Sequence, residues 1–242
     1  QAASIGIIGA ADGPTSIYVA SRFAKELLGP ISVAAYSYMS LVPIIQPPVI
    51  KALTTKEERM IKMEAKSVKI TKTMRIVFPI AVTIIASLLA PASAALIGFL
   101  MFGNLLRECG VLNGLAKSAQ NELANIVTIL LGLSIGSTMT ADKFLKPQTL
   151  MIIVLGLVAF ILDTAGGVLF AKFLNLFLRK KINPMLGAAG ISAFPMSARV
   201  IHILGRKEDP TNYLLMHAIG ANVAGQIGSV LAGGILVALV SS

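Results

Sequence analysis

The 242-residue sequence has no tryptophan, a single cysteine, two histidines and few charges of either sign. Asp, Glu, Lys and Arg make up 13% of it, against roughly 25% in a soluble domain. The lone Cys109 excludes an intrachain disulfide and any cysteine-rich metal centre. His202 and His217 share no metal-ligand spacing. Aromatic residues are 6% of the chain and do not interleave with basic ones, so the net charge of +10 does not describe a nucleic-acid surface.

Apolar residues fill the space that charge leaves. They are 55% of the chain, and the mean hydropathy is +0.81. Leu150–Phe173, Asn212–Val240 and Ile76–Leu106, the last with an internal break, are long enough to cross a hydrocarbon core, which takes about 20 helical residues. Eight of the 21 basic residues lie between Lys51 and Arg75, and most others sit at the ends of apolar runs, as the positive-inside rule requires. The expected fold is all-α: a multi-pass protein of the cell inner membrane, with broken helices and re-entrant hairpins as in transporters. Residues 1–242 read as one transmembrane domain, with a basic, solvated, amphipathic cytoplasmic helix over 51–75. The chain starts at Gln1 with no initiator Met and no basic leader, and reads as a piece of a longer protein.

Glycine and proline mark the breaks. Asp12-Gly13-Pro14-Thr15 interrupts the apolar stretch 5–24, because Pro14 lacks a helix donor and Gly13 accepts any φ. A second span, 31–50, is expected to close at Gln46-Pro47-Pro48. Pro91 should divide 76–90 from 92–106, with 107–120 a polar connection, 121–139 a span, 141–147 a loop and 150–177 a further span. Asn183–Val200 reads as a re-entrant hairpin, and 211–240 as a helix broken near Gly220-Ala221-Asn222. Placing 51–75 inside also places Arg107, Arg179–Lys181 and Arg206-Lys207 inside.

Broken helices at membrane depth are tolerated where the freed backbone faces protein or a wet cavity, and transporters aim such helix ends at ions. Polar residues stand at three expected breaks: Asp12, then Asn183 with Ser192, then Asn222. A carboxylate within an apolar run is costly unless paired or coordinated. Asp12 therefore reads as a Na⁺ or proton site, or as one half of a salt bridge to an arginine such as Arg199. Asp163 reads equally as an ion ligand or as a hydrogen-bonding partner between helices beside the small residues Thr164–Gly167. Tyr38, like Tyr36, is either an interfacial anchor or, among small residues inside the run, a cation ligand or proton carrier. Arg199 either faces a cavity and holds an anion or snorkels to the interface.

Several blocks carry a resemblance: Gly9–Thr15, Ala35–Met39 with Val42–Pro48, Gly98–Gly110, Asn121–Met139, Asn183–Arg199 and Asp209–Asn212. Together they resemble the β subunit of biotin-dependent, sodium-pumping decarboxylases acting on oxaloacetate, methylmalonyl-CoA or glutaconyl-CoA. The resemblance covers essentially the whole chain and corresponds to the C-terminal part of such a subunit. It implies a membrane enzyme that decarboxylates carboxybiotin, consumes a proton and exports Na⁺. It also implies partners: a biotin-carrier and carboxyltransferase subunit delivering the carboxybiotin, and a small membrane subunit, in an oligomeric complex. The family's important positions fall on Asp12, Tyr38, Asn183, Gly187, Ser192, Arg199 and Asn222. They imply Na⁺ ligation by Asp12, Asn183, Gly187, Ser192 and Asn222, catalysis by Tyr38, Asp12 and Arg199, and contact with carboxybiotin by Arg199. The proline that members often carry before the last Asn is replaced here by Ala221. Without the resemblance, a secondary transporter of Na⁺, H⁺ or a carboxylate, with no bond-breaking step, fits the same residues.

Overall fold

The computed structural model describes residues 1–64, 69–140 and 146–241. No strand occurs among the described residues, and four helices are long and apolar enough to cross a membrane: Lys25–Leu53, Lys72–Leu89, Pro147–Leu174 and Leu215–Ser241. The chain is an all-α membrane protein. It divides into two compact units, Gln1–Lys66 with Leu145–Ser229, and Ser67–Phe144 with Val230–Ser242.

The first unit begins with a broken helix. Helix α1 (Ala2–Gly6) tightens into a 3₁₀ turn (Ile7–Ala10), which ends where Ala11 takes a left-handed φ of 51°. Asp12 then caps α2 (Gly13–Phe23) by accepting from the Thr15 amide, and Pro14 occupies the first turn, where a missing N–H costs nothing. Helix α3 (Leu28–Leu53) follows a 3₁₀ turn at Lys25–Leu27. It does not close at Gln46–Pro48 as expected, but carries Pro43, Pro47 and Pro48 inside it. Gln46 is fully buried there, and its side chain reaches the Ala188 carbonyl and the Ser197 hydroxyl of another segment.

The basic stretch departs most from expectation. Residues 51–53 finish α3 and 72–75 begin the next helix; between them lie one helical turn, α4 (Lys56–Arg59), and non-helical chain to Glu64, with 65–68 outside the described residues. Tertiary partners win over local amphipathicity. The Arg59 and Ile61 carbonyls accept from Asn183 and Asn212, Arg59 pairs with Glu208 at 2.8 Å, and Lys62 pairs with Asp209 at 3.1 Å.

In the second unit, α5 (Lys72–Leu89) and α6 (Ala94–Glu108) form a hairpin about Ala90 and the 3₁₀ turn Pro91–Ser93, as Pro91 foretold. Arg75 and Glu108 pair at 3.5 Å. The connection 107–120 is largely helical, because α7 (Asn113–Ser118) runs through a π-turn (Ala119–Leu123) into α8 (Ala124–Thr138). Most of the expected loop 141–147 lies outside the described residues.

The 28-residue α9 (Pro147–Leu174) returns the chain to the first unit. In place of a simple hairpin, 183–200 forms a 3₁₀ helix (Pro184–Gly190), non-helical chain from Ile191, and the start of α10 (Met196–Glu208). Gly167 of α9 and Gly187 of the 3₁₀ helix touch backbone to backbone, and a Cβ on either would overlap the other's carbonyl. The last helix, α11 (Leu215–Ser241), is unbroken at Gly220-Ala221-Asn222. Ala221 has the amide that a proline would lack, and a helical glycine costs only about 1 kcal/mol. The interruption falls earlier, at the turn 209–214.

Candidate functional site

The two broken segments of the first unit meet at Asp12. The Ser192 amide donates to the Ala10 carbonyl at 3.0 Å, fixing the non-helical chain after Gly190 against the α1–α2 break. Asn222 of α11 holds the same chain from the other side. Its amide nitrogen donates to the Ala189 and Ile191 carbonyls at 3.1 and 2.6 Å. Close approach is possible because Gly225 lies against the Gly190 carbonyl, where any Cβ would overlap it.

This arrangement surrounds the Asp12 carboxylate, 7% exposed, with neutral donors. Oδ1 accepts from the Thr15 amide at 3.1 Å, and Oδ2 from the Ser192 and Ser229 hydroxyls at 3.2 and 3.0 Å. Asp12 is in none of the ion pairs among the described residues, and Arg199 is exposed on α10, so the salt-bridge reading of Asp12 fails. Thr15 Oγ1 and Ser16 Oγ, from the α2 turn that Asp12 caps, are buried without a hydrogen-bond partner, as is Asn222 Oδ1. A carboxylate with several buried, uncommitted neutral oxygens is the donor set a hard monovalent cation takes. It does not suit a soft metal, and no cluster of three His, Cys, Asp or Glu occurs among the described residues.

The structure distributes the other expected residues differently. Ser192 touches Asp12, and Asn222 positions the chain that bears Ser192. Asn183 is engaged elsewhere. Its Nδ2 donates to the Arg59 and Ile61 carbonyls at 2.8 and 2.9 Å, and its Oδ1 accepts from the Met185 amide. Asn212 donates to the same two carbonyls. Gly187 supplies the close crossing with α9. Tyr38 is buried against α9, stacked on Phe160 at 6.3 Å, with its hydroxyl donating to the Ile153 carbonyl. Two positions earlier, and so on another face of α3, the Tyr36 ring lies against Gly13, next to Asp12. Asp163 is exposed on α9 and makes no hydrogen bond or ion pair among the described residues.

Outside the membrane spans, the ion pairs that tie down the basic segment are well formed. Burial lifts the Glu58 carboxyl, but the Thr55 amide and Lys172 outweigh it and hold the group below its ordinary value. The hydroxyl and amide of Thr211, together with Lys62, pull Asp209 down to about 2.

Sequence reading passed over Ser229, Gln46 and Asn212. A faint signal existed for Ser229. It stands seven residues after Asn222, two helical turns along the same face.

The family sequence model described as the Na⁺-transporting oxaloacetate decarboxylase beta subunit matches residues 1–240. The chain is 57% identical over 239 residues to a methylmalonyl-CoA decarboxylase subunit beta of Propionigenium modestum, covering 99% of this chain and 60% of that protein. It is 56% identical over 236 residues to an oxaloacetate decarboxylase beta chain of Klebsiella pneumoniae, covering 98% and 54%. A methylmalonyl-CoA decarboxylase subunit beta of Veillonella parvula is 55% identical over 242 residues, covering 100% and 65%. The chain thus spans between half and two thirds of the length of these curated relatives.

Proposed function

Because the chain belongs to the Na⁺-transporting oxaloacetate decarboxylase beta subunit family, we propose that it is the membrane part of a decarboxylation-driven sodium pump of the cell inner membrane. Carboxybiotin, carried by a biotin-carrier and carboxyltransferase partner, is the substrate that loses CO₂. The N–C bond breaks, the ring nitrogen takes up a proton, and Na⁺ is exported. A small membrane subunit completes the complex.

The observation that carries this reading is Asp12, buried between two hydroxyls at the meeting point of two broken segments. Asp12 and Ser192 hold the cation, with the uncommitted oxygens of Thr15, Ser16 and Asn222 as the further ligands. Asn183 and Gly187 act at one remove, by fixing the 3₁₀ helix that leads to Ser192. Arg199, exposed and outside every ion pair among the described residues, is free to receive the carboxylate of carboxybiotin. Tyr38 serves as proton carrier only after its hydroxyl exchanges the Ile153 carbonyl for an acceptor on the substrate side.

The test is simultaneous measurement of carboxybiotin consumption and ²²Na⁺ uptake by the full-length protein in its complex, in proteoliposomes. The two should rise together with Na⁺, and both should fail in Asp12→Asn. Sodium uptake that proceeds without carboxybiotin loss would replace this reading with secondary transport.

A further inference from the structure

The Ser229 hydroxyl has one proton and three acceptors within reach. These are Asp12 Oδ2 at 3.0 Å, the Gly225 carbonyl at 3.0 Å and the Gln226 carbonyl at 3.1 Å. A hydroxyl proton turns about its C–O bond to suit its surroundings, and a helical serine commonly bonds back to the carbonyls three and four residues earlier. Ser229 therefore has a resting place for its proton in its own helix. Ser192 does not. Asp12 is the one acceptor its hydroxyl meets among the described residues, so turning its proton away sacrifices the bond.

We propose that Ser229 is a switching ligand of the Asp12 cation site, donating a hydrogen bond to the carboxylate before the cation binds and presenting its oxygen lone pair to the cation afterwards. This rests on the reading of Asp12 as the cation site. A carboxylate shared by two hydroxyl donors satisfies itself without a cation, and its O–H groups then point at the place a cation must occupy. On binding, the O–H dipole of Ser229 turns to the Gly225 or Gln226 carbonyl with no net loss of hydrogen bonds. The cation gains an oxygen ligand, and the carboxylate exchanges one donor for a full positive charge. Gly225 makes this geometry possible, because its close approach to Gly190 seats this face of α11 against the chain bearing Ser192.

The hydroxyl, and not the volume of the side chain, is what the switch requires. In the assembled complex, Na⁺-dependent protection against thermal unfolding reads cation binding directly, and the Na⁺ dependence of carboxybiotin turnover reads it in action. Ser229→Ala should need about five- to tenfold more Na⁺ for the same protection, corresponding to one neutral ligand. In turnover the loss should fall on half-saturation more than on the rate at saturating Na⁺. Ser229→Thr and Ser229→Val have nearly the same shape; Thr should stay close to wild type and Val should follow Ala. An unchanged Na⁺ requirement in Ser229→Ala, or equal behaviour of Thr and Val, overturns the proposal. Asp12→Asn separates the two layers. If it keeps wild-type protection by Na⁺, the Asp12 reading itself falls; if it loses protection while Ser229→Val keeps it, only the switch falls.

Discussion

Gly187→Ala distinguishes a packing glycine from an ion-site glycine. A Cβ at 187 would stand 3.0 Å from the Ala171 Cβ and overlap the Gly167 carbonyl, whereas relaxed carbon contacts are about 3.5–4.0 Å. Neither obstacle is the flexible end of a side chain, so the 3₁₀ helix and α9 must part along their backbones. Overpacking of this kind costs about 2–3 kcal/mol, near the upper end of the usual range. For a domain of this size that lowers the unfolding midpoint by roughly 4–12 °C. Gly167→Ala strains the same contact from the other side and should cost about as much. Once either Cβ has forced the backbones apart the second has less to displace, so the double variant should lose clearly less than the sum. The assay is thermal unfolding of purified protein in detergent for the two single variants and the double. Midpoints within about 1 °C of wild type, or losses that add, would refute the packing argument.

Asp12→Asn should insert and fold, since its amide can accept from Thr15 and donate to the two serine oxygens, yet lose Na⁺-dependent turnover; uptake in vesicles together with detection in the membrane fraction checks both. Asn183→Asp removes the donor to the Arg59 and Ile61 carbonyls and leaves a buried carboxylate facing them, so it should destabilise the protein by about 1–3 kcal/mol and expose 59–62 to limited proteolysis. Asp209 has a carboxyl held down to about 2, below the ordinary 3.8. Its stabilising contribution is therefore fully present above the ordinary value and disappears as pH falls through about 2. Asp209→Asn should therefore lower the melting temperature at neutral pH and converge on the wild type as pH falls to about 2, flattening the acid side of the profile.

The break at Asp12 was legible because its causes are local: a proline, a glycine and a capping carboxylate within four residues. So was the turn at Pro91. The role of Asn222 was not legible, because what its side chain bonds to lies more than 30 residues away, at Ala189 and Ile191. The 51–75 stretch misled for the same reason. Its charges alternate as on a solvated helix, but Asn183, Asn212, Glu208 and Asp209 hold it in a conformation that no local pattern specifies. Tyr38 and Tyr36 show how fine the margin is. Two positions along a helix turn a side chain by about 200°, and that alone decides which phenol meets α9 and which lies on Gly13.

All three donors that Asp12 meets among the described residues are neutral, and that fixes an arithmetic of charge. With its carboxylate ionised, the cluster carries one net negative charge at 7% exposure, a condition that burial penalises steeply. One monovalent cation brings the sum to zero. A divalent cation leaves the cluster as far from neutral as before, with the sign reversed. Discrimination by valence is thus set by counting charges, before cavity size or ligand distance enters. The same count makes the loaded cluster the form that low-dielectric surroundings tolerate best, so any movement that takes Asp12 through such surroundings is least costly with a monovalent ion aboard.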